Sequence, residues 1–181
     1  MKRYILSILV ILFILGTLNA QDVSIGLETS YFIPSNQTFK DIYGGGIQYG
    51  GELSVDVLKR FSIWFGSSYF SKKGELSFTK EEIALRIIPV NLGINYRFTD
   101  KKVIPYIGIG MGVHFYRETA PRDTIRYARF GYSGQAGVLI ELKEKFYLEF
   151  RIDYKYSTIA PDGTDINIGG IGTGLGLKYR L

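Results

Sequence analysis

The most informative absence in this 181-residue chain is cysteine, which does not occur. Without a thiol the chain forms no disulfide, offers no thiolate to a metal ion and has no cysteine nucleophile. Proline is also scarce, at 5 residues, whereas glycine occurs 22 times and tyrosine 14 times. A chain rich in aromatic residues and glycine favours many strands and tight turns over helices.

Charge and motifs also exclude several classes of protein. The formal net charge is +5, which falls to +3 if Lys2 and Arg3 leave with a cleaved leader, and this surplus is too small to suggest nucleic acid as a partner. The glycine-rich stretch "GGIGTGLGL" at 169–177 does not have dinucleotide-binding spacing, because the sixth position counted from Gly170 is Leu175. We predict no cofactor, no metal site and no enzymatic activity.

The first twenty residues, "MKRYILSILVILFILGTLNA", have the composition of a secretory signal peptide. A basic start is followed by an apolar run that is shorter than the roughly 20 residues a spanning helix needs. Small residues then lead to Ala20, after which cleavage is expected. The prediction is a signal peptide over 1–20 and a single domain over 21–181.

The remaining chain alternates apolar and polar residues with the period of two that is typical of strands. In "FYLEFRIDYKY", residues 146–156, one face is hydrocarbon and aromatic and the other carries charges of alternating sign. The predicted strands span 22–32, 45–57, 60–71, 83–98, 104–117, 128–142, 145–157 and 166–181. No helical periodicity of useful length lies between them. Short charged connections alternate with long ones, which is typical of an up-and-down barrel in a membrane.

Periodicity alone leaves open which face points outward. A soluble lipocalin-like barrel would bury the apolar face, and a membrane barrel would turn that face toward lipid. The membrane barrel is favoured because an eight-stranded interior has too little room for so many large apolar residues. Aromatic residues of the apolar face also collect near both strand ends, as membrane interfaces require. The predicted fold class is all-β, an eight-stranded antiparallel up-and-down transmembrane β-barrel.

Local patterns add expectations about pairing. Folding about residues 58–60 sets Leu53 opposite Phe65 and Val57 opposite Phe61, and folding about 143–145 sets Val138 opposite Phe150 and Leu142 opposite Phe146. In the fourth strand the alternation breaks upstream of Ile88. Pro89 beside the break predicts a bulge or the end of regular pairing.

Four stretches carry a resemblance to a known family: "IIPVNLGINYRF" (87–98), "PYIGIGMGV" (105–113), "GYSGQAGVLIEL" (131–142) and "GLGLKYRL" (174–181). The mature chain resembles the small outer membrane β-barrels of Gram-negative bacteria, the OmpA/OmpX-like and PorT-like barrels common in Bacteroidetes. The resemblance implies residence in the outer membrane, periplasmic termini, and contact with outer-membrane lipids and lipopolysaccharide. It also implies that the barrel-assembly machinery binds the chain during biogenesis. We expect the protein to be a monomer.

The same resemblance assigns an assembly signal to the last strand. The alternating residues there end in leucine, where family members often end in phenylalanine. The signal residues are Leu175, Leu177, Tyr179 and Leu181.

Charged residues of the polar face are the candidate site, because they would meet inside the barrel. They are Glu28, Glu52, Asp56, Arg97, Glu141, Glu149, Arg151, Asp153, Lys155, Lys178 and Arg180. The favoured interpretation is an ion-pair network that satisfies buried charge. The alternative is a narrow channel for ions or small solutes, with inward glycines leaving room for water. Gly172, Gly174 and Gly176 are expected to give clearance to long side chains of the seventh strand.

Two further groups of residues suggest roles at the end with the long loops. His114, the only histidine, and Ser133 on the neighbouring strand could form a lipid-modifying site at the rim. The predicted loop 117–129 carries four arginines that could touch lipid phosphates or an acidic partner. The expected function is a structural or interaction role through extracellular loops, with the channel, the rim enzyme and the soluble binding barrel as alternatives.

Overall fold

The structure is a computed structural model that describes residues 22–75, 82–121, 123–160 and 166–181. The predicted signal peptide and Arg122 lie outside these ranges. Within the described ranges, no helix is both long enough and apolar enough to cross a membrane.

The described chain forms nine strands and one short helix. In chain order they are β1 Val23–Pro34, α1 Gln37–Tyr43, β2 Gly46–Leu58, β3 Phe61–Glu75, β4 Glu82–Arg97, β5 Val103–Thr119, β6 Thr124–Lys143, β7 Phe146–Ile159, β8 Ile166–Asn167 and β9 Gly170–Arg180. The predicted last strand is thus divided in two. The two-residue β8 pairs with the end of β7, and β9 completes the barrel.

Eight of the strands close into a ring. Neighbours in sequence pair antiparallel from β1 to β7, and β9 pairs with both β7 and β1. Closure gives each strand of the ring two neighbours, which a hydrocarbon environment requires. The predicted eight-stranded antiparallel barrel is confirmed.

The side-chain exposure of the two faces of the wall distinguishes a membrane barrel from a soluble one. Leu27 and Ile109 on the outer face are 71% and 74% exposed, whereas Ser24, Asn91 and Arg151 on the inner face are buried. An apolar exterior around a polar interior is the transmembrane arrangement, so the soluble lipocalin-like alternative is wrong.

Aromatic side chains ring this exterior at two heights. The belt near the short turns consists of Phe61, Tyr96, Phe98, Phe146 and Tyr179. The belt near the other end consists of Tyr31, Tyr49, Tyr69, Phe115, Phe130, Tyr132, Tyr154 and Tyr156. We call the end with the short turns the inner end and the opposite end the outer end.

Strand registers follow the predictions except beside two inner turns. Leu53 lies opposite Phe65 and Val138 opposite Phe150, as predicted. Next to the turns the register shifts, so that Leu58 rather than Val57 pairs with Phe61. The predicted pair of Leu142 and Phe146 is likewise replaced by Lys143 with Phe146. A two-residue turn that follows an extra residue explains both shifts.

The bulge predicted at Pro89 is wrong, and the pairing of β4 with β3 is interrupted there without ending. Ser67 lies opposite Val90 and Phe70 opposite Ile87, in one continuous register through β4. Cross-strand bridges to β3 are missing only between these two pairs, as expected where proline has no N–H to donate. The alternation breaks because the interior changes from polar to apolar above Pro89, while the strand keeps its inward and outward positions.

The outer end of the barrel is filled by an apolar core that includes a helix not predicted from the sequence. We call it the outer core; it consists of Phe32, Phe39, Tyr43, Phe70, Ile83, Leu85, Ile87, Tyr116, Ile159 and Ile168. The helix α1 begins after Asn36, whose side chain accepts a hydrogen bond from the Phe39 amide at 3.0 Å. It ends at Gly44, whose φ of 62° closes the turn.

The predicted loop 117–129 is also wrong. β5 continues to Thr119 and β6 begins at Thr124, so only residues 120–123 connect them. Arg117 and Arg126 are therefore strand residues that lie directly opposite each other.

Candidate functional site

The candidate site is the barrel interior, which has three levels between the outer and the inner end. The outer core occupies the first. Its strand residues face inward on the same strands that carry polar residues further down: Phe70 follows Ser68 in β3, and Ile87 precedes Asn91 in β4. Burial raises the pKa of the Tyr43 phenol of α1, so that group stays neutral within the core.

Charged residues fill the middle level. We call this group the central ion cluster: Glu28, Glu52, Arg151, Asp153, Lys155 and Lys178. Glu52 accepts from Arg151 Nη1 at 2.7 Å and from Lys178 Nζ at 2.8 Å, and Arg151 also pairs with Glu28. Since β1 and β9 separate β2 from β7 in the ring, the Glu52–Arg151 pair spans the lumen between strands that are not neighbours.

Uncharged polar groups extend the cluster around the wall. Gln135 accepts from Arg151 Nη1 at 3.3 Å and donates to Asn95 at 2.8 Å. The Tyr106 hydroxyl donates to Glu149. The sequence predictions did not include these partners. Tyr106, Gln135 and Asn95 lie at inward positions of their strands. The alternation of polar and apolar residues in the sequence could therefore have identified them as lumen residues.

The same level contains a further ion pair nearer the outer end. Lys155 pairs with Asp153 and donates to Gln48 at 3.4 Å. All three residues are buried. Buried charges that lack partners would cost several kcal/mol each, so the pairing is what makes a charged lumen tolerable.

The inner end holds the remaining predicted residues. Asp56 pairs with Arg97 at 2.8 Å, and Arg180 lies 3.5 Å from Asp22. Arg180 also stacks over the Tyr147 ring at 5.2 Å from its centroid. Glu141 lines an open vestibule of about 450 Å³ at this end and has no ion-pair partner among the described residues. The structure therefore places Glu141 apart from the cluster and the other ten predicted residues in contact with polar neighbours.

Side chains of neighbouring strands occupy the space beside the inward-facing glycines. A Cβ at Gly110 would lie 2.6 Å from Trp64 Cζ2, and one at Gly137 would lie 2.8 Å from Tyr106 Cε1. A Cβ at Gly172 would lie 2.6 Å from Asp153 Oδ1. The glycines give room to large and charged side chains.

Two small cavities lie in the middle of the described barrel. One of about 30 Å³ is lined by Trp64, Ser68, Ser133 and Arg151, and a second of about 20 Å³ lies further toward the inner end. Trp64 Nε1, Ser68 Oγ and Ser133 Oγ have no hydrogen-bond partner among the described protein atoms. A cavity of this size holds about one or two water molecules, which would satisfy these atoms.

The residues proposed for a rim enzyme are not brought together. Ser133 lies opposite Gly110, whereas His114 lies opposite Arg129, four residues away along the strand pair. His114 is 1% exposed and contacts Asn91 Oδ1 through Nε2 at 3.2 Å. Among the described residues, no group of three or more His, Asp or Glu side chains is placed to hold a metal ion.

The predicted assembly-signal residues lie on the outward face of β9 and at its end. Leu175, Leu177 and Leu181 are 52%, 59% and 63% exposed. Tyr179 is half-buried against Phe146, with ring centroids 4.7 Å apart. Recognition of these residues by the assembly machinery stays a prediction.

Solved structures of small barrels share this architecture. OprG from Pseudomonas aeruginosa superposes with a TM-score of 0.72 over 90% of this chain and 96% of that chain, at 13% identity. Neisserial surface protein A gives 0.64 over 88% and 97%, at 13% identity, and Ail of Yersinia pestis gives 0.51 over 89% and 97%, at 14% identity. At these identities the likeness concerns the fold alone. Curated protein sequences contain no match to the chain.

A family model for the outer membrane protein beta-barrel domain matches residues 5–179. The match includes most of the predicted signal peptide, so the boundary after Ala20 stays a prediction. With its lipid-type exterior, its closed eight-stranded wall and this match, the chain belongs to the outer membrane protein beta-barrel domain family and is an integral protein of the outer membrane.

Proposed function

We propose that the protein is a closed barrel with a structural or interaction role at the cell surface, exerted through its outer end. The observation that carries the proposal is the outer core, which fills the barrel mouth with side chains from α1 and the surrounding strands. The central ion cluster forms a second obstruction below it. A path for ions would have to displace both.

The arrangement of polar residues supports an exposed outer end. The side chains of Gln37, Lys40 and Asp41 on α1 are exposed to solvent, while Phe39 and Tyr43 anchor the helix in the core. A small amphipathic element held rigidly in this way presents a fixed surface to a partner outside the cell. We infer no catalytic role, because the charged groups at the middle level of the described interior are held in ion pairs and hydrogen bonds.

Planar-bilayer recording of the refolded full chain tests the proposal. Insertion of folded protein is checked first by the heat-dependent shift in gel mobility that closed barrels show. We expect no conductance above that of the bare bilayer, at any applied voltage that the bilayer withstands. Stable, reproducible conductance steps from the unaltered protein would overturn the closed-barrel proposal and favour the narrow channel.

A further inference from the structure

Three arginines lie side by side on the outward face near the outer end. Arg86 of β4 lies directly opposite Arg117 of β5, and Arg117 lies directly opposite Arg126 of β6. All three are exposed. We call this group the arginine row. Since neighbouring strands are about 4.8 Å apart, the row places three guanidinium groups within about 10 Å of wall.

The height of the row on the barrel is fixed by the aromatic belt. Two residues closer to the membrane centre, the outward positions on β4 and β5 are Ile88 and Phe115. Arg86 itself stacks over the ring of Tyr69, 5.6 Å from its centroid. Aromatic belts mark the level of lipid headgroups, so the row lies at that level or just above it.

The row is electrostatically unfavourable for the isolated chain. Like charges directly opposite each other on neighbouring strands destabilise a sheet. Among the described residues none of the three arginines has an ion-pair partner. The outward carboxylate of Glu82 is engaged by Lys73 at 3.4 Å, and Asp123 accepts a hydrogen bond from the Thr124 amide at 2.7 Å.

We propose that the arginine row binds phosphate groups of glycolipid headgroups in the outer leaflet. Guanidinium groups bind phosphate bidentately, and several of them together select a headgroup that carries more than one phosphate. A lipid source is favoured over a soluble anion because the row faces sideways, along the bilayer, directly above lipid-facing aromatic residues. The inference rests on the proposed interaction role of the outer end, and it names glycolipid as the partner of the lipid-facing wall there.

Thermal unfolding of the full chain in vesicles tests the proposal. The protein is reconstituted in phosphatidylcholine alone, or in phosphatidylcholine with bisphosphorylated lipid A or with dephosphorylated lipid A. A further arm adds inorganic phosphate to the phosphatidylcholine vesicles. The midpoint of heat-induced loss of the compact form is measured by gel mobility. Two variants accompany the native chain: Arg86→Gln/Arg117→Gln/Arg126→Gln, and the control Lys59→Gln/Lys101→Gln/Lys102→Gln, which removes equal charge from exposed positions at the inner end.

We expect bisphosphorylated lipid A to raise the midpoint of the native chain and of the lysine control by about 3 °C or more, because a ligand that binds only the folded state stabilises it. The arginine variant should show no such rise. In phosphatidylcholine alone the arginine variant should be at least as stable as the native chain, since its like-charge contacts are gone. A variant that is stable in phosphatidylcholine but gains nothing from lipid A distinguishes phosphate binding from a merely structural role of the arginines.

Three outcomes would overturn the proposal. The first is an equal rise with dephosphorylated lipid A, and the second is an equal rise in the arginine variant. The third is a rise with inorganic phosphate as large as that with lipid A, which would assign the row to a soluble anion. None of these results depends on whether the barrel conducts, so the closed-barrel proposal can fail while this one holds, and the reverse.

Discussion

At the scale of single residues, the packing of the barrel interior requires glycine at positions where neighbouring strands leave no room for a side chain. Gly174 of β9 lies between Ser30 of β1 and Arg151 of β7 in the strand that closes the barrel. A Cβ there would lie 2.6 Å from Ser30 Cβ and 2.7 Å from Ser30 Cα. Because the backbone of β1 cannot move aside as a flexible side chain can, even a methyl group requires the wall to shift.

We therefore predict that Gly174→Ala lowers the yield of folded barrel and costs about 1–3 kcal/mol, the usual effect of overpacking. Gly174→Trp should prevent closure. The matched control is Gly51→Ala in β2, where a Cβ would have its nearest contact at 3.6 Å. The fraction of compact protein after refolding is read on a gel. Equal yields of Gly174→Trp and native protein would show that β9 does not have this register.

A second prediction at this scale concerns Glu52, the shared acceptor of the central ion cluster. Removing it leaves Arg151 and Lys178 buried without that partner. We expect Glu52→Ala to lower the free energy of unfolding by about 3–5 kcal/mol, as measured by urea titration in detergent or lipid.

Glu82→Ala is the matched control for Glu52→Ala. It breaks the exposed pair with Lys73 and should cost less than about 1 kcal/mol. If the two substitutions had equal effects, the lumen charges would be solvated by a water path rather than held in pairs.

At the scale of elements, β4 has two sections in which the apolar residues lie on opposite faces. In β4 the outward positions run from Ile94 and Leu92 to Arg86, while the inward positions run from Asn95 and Asn91 to Leu85. The membrane section is apolar outside and polar inside, and the outer section is the reverse. A reversal of this kind indicates that the wall rises above the hydrocarbon, where water again makes the interior the apolar side.

Sequence periodicity predicts the membrane section well and the outer section poorly. β7 alternates without interruption, so its faces follow directly from the sequence. In β4 the apolar residues change sides at Pro89, and this change resembles a bulge because periodicity does not report which solvent surrounds the wall. The signal for α1 was present: Asn36 as a cap, Phe39 and Tyr43 four residues apart, and Gly44 as a stop.

The outer core predicts a difference between two phenylalanines of β3. Phe70 is fully buried in the core and packs edge-to-face against Phe32, with ring centroids 4.9 Å apart, whereas Phe65 faces lipid and is 50% exposed. Phe70→Ala should lower the free energy of unfolding by about 3–5 kcal/mol, and Phe65→Ala by clearly less. Urea titration followed by gel mobility measures both. A larger effect at Phe65 would contradict a packed outer core.

At the scale of the whole molecule, strand order and closure could be predicted, but contacts across the lumen could not. Glu52 and Arg151 are 99 residues apart in sequence and belong to strands that are not neighbours in the ring. Their contact depends on how far side chains reach across the barrel, which no local pattern records. The arginine row was not predicted for a related reason, because Arg86 lies opposite Arg117 only when β4 and β5 pair in the observed register.

In the closed barrel that we propose, a packed outer core separates the lumen from the cell exterior. The absence of cysteine makes this separation directly measurable, because a single introduced thiol is the only one in the chain. Ser68 of β3 faces the lumen below the outer core and is buried, whereas Lys40 of α1 lies at the outer end, away from the lipid-facing wall, and is exposed.

The deciding measurement is the reaction of Ser68→Cys and Lys40→Cys with a small, membrane-impermeant thiol reagent added outside intact cells. We predict rapid modification of Lys40→Cys, and modification of Ser68→Cys only after denaturation. Failure of Lys40→Cys to react would contradict the orientation of the outer end. Reaction of Ser68→Cys at a rate comparable to that of Lys40→Cys would show that the lumen is open to the exterior and would contradict the closed barrel.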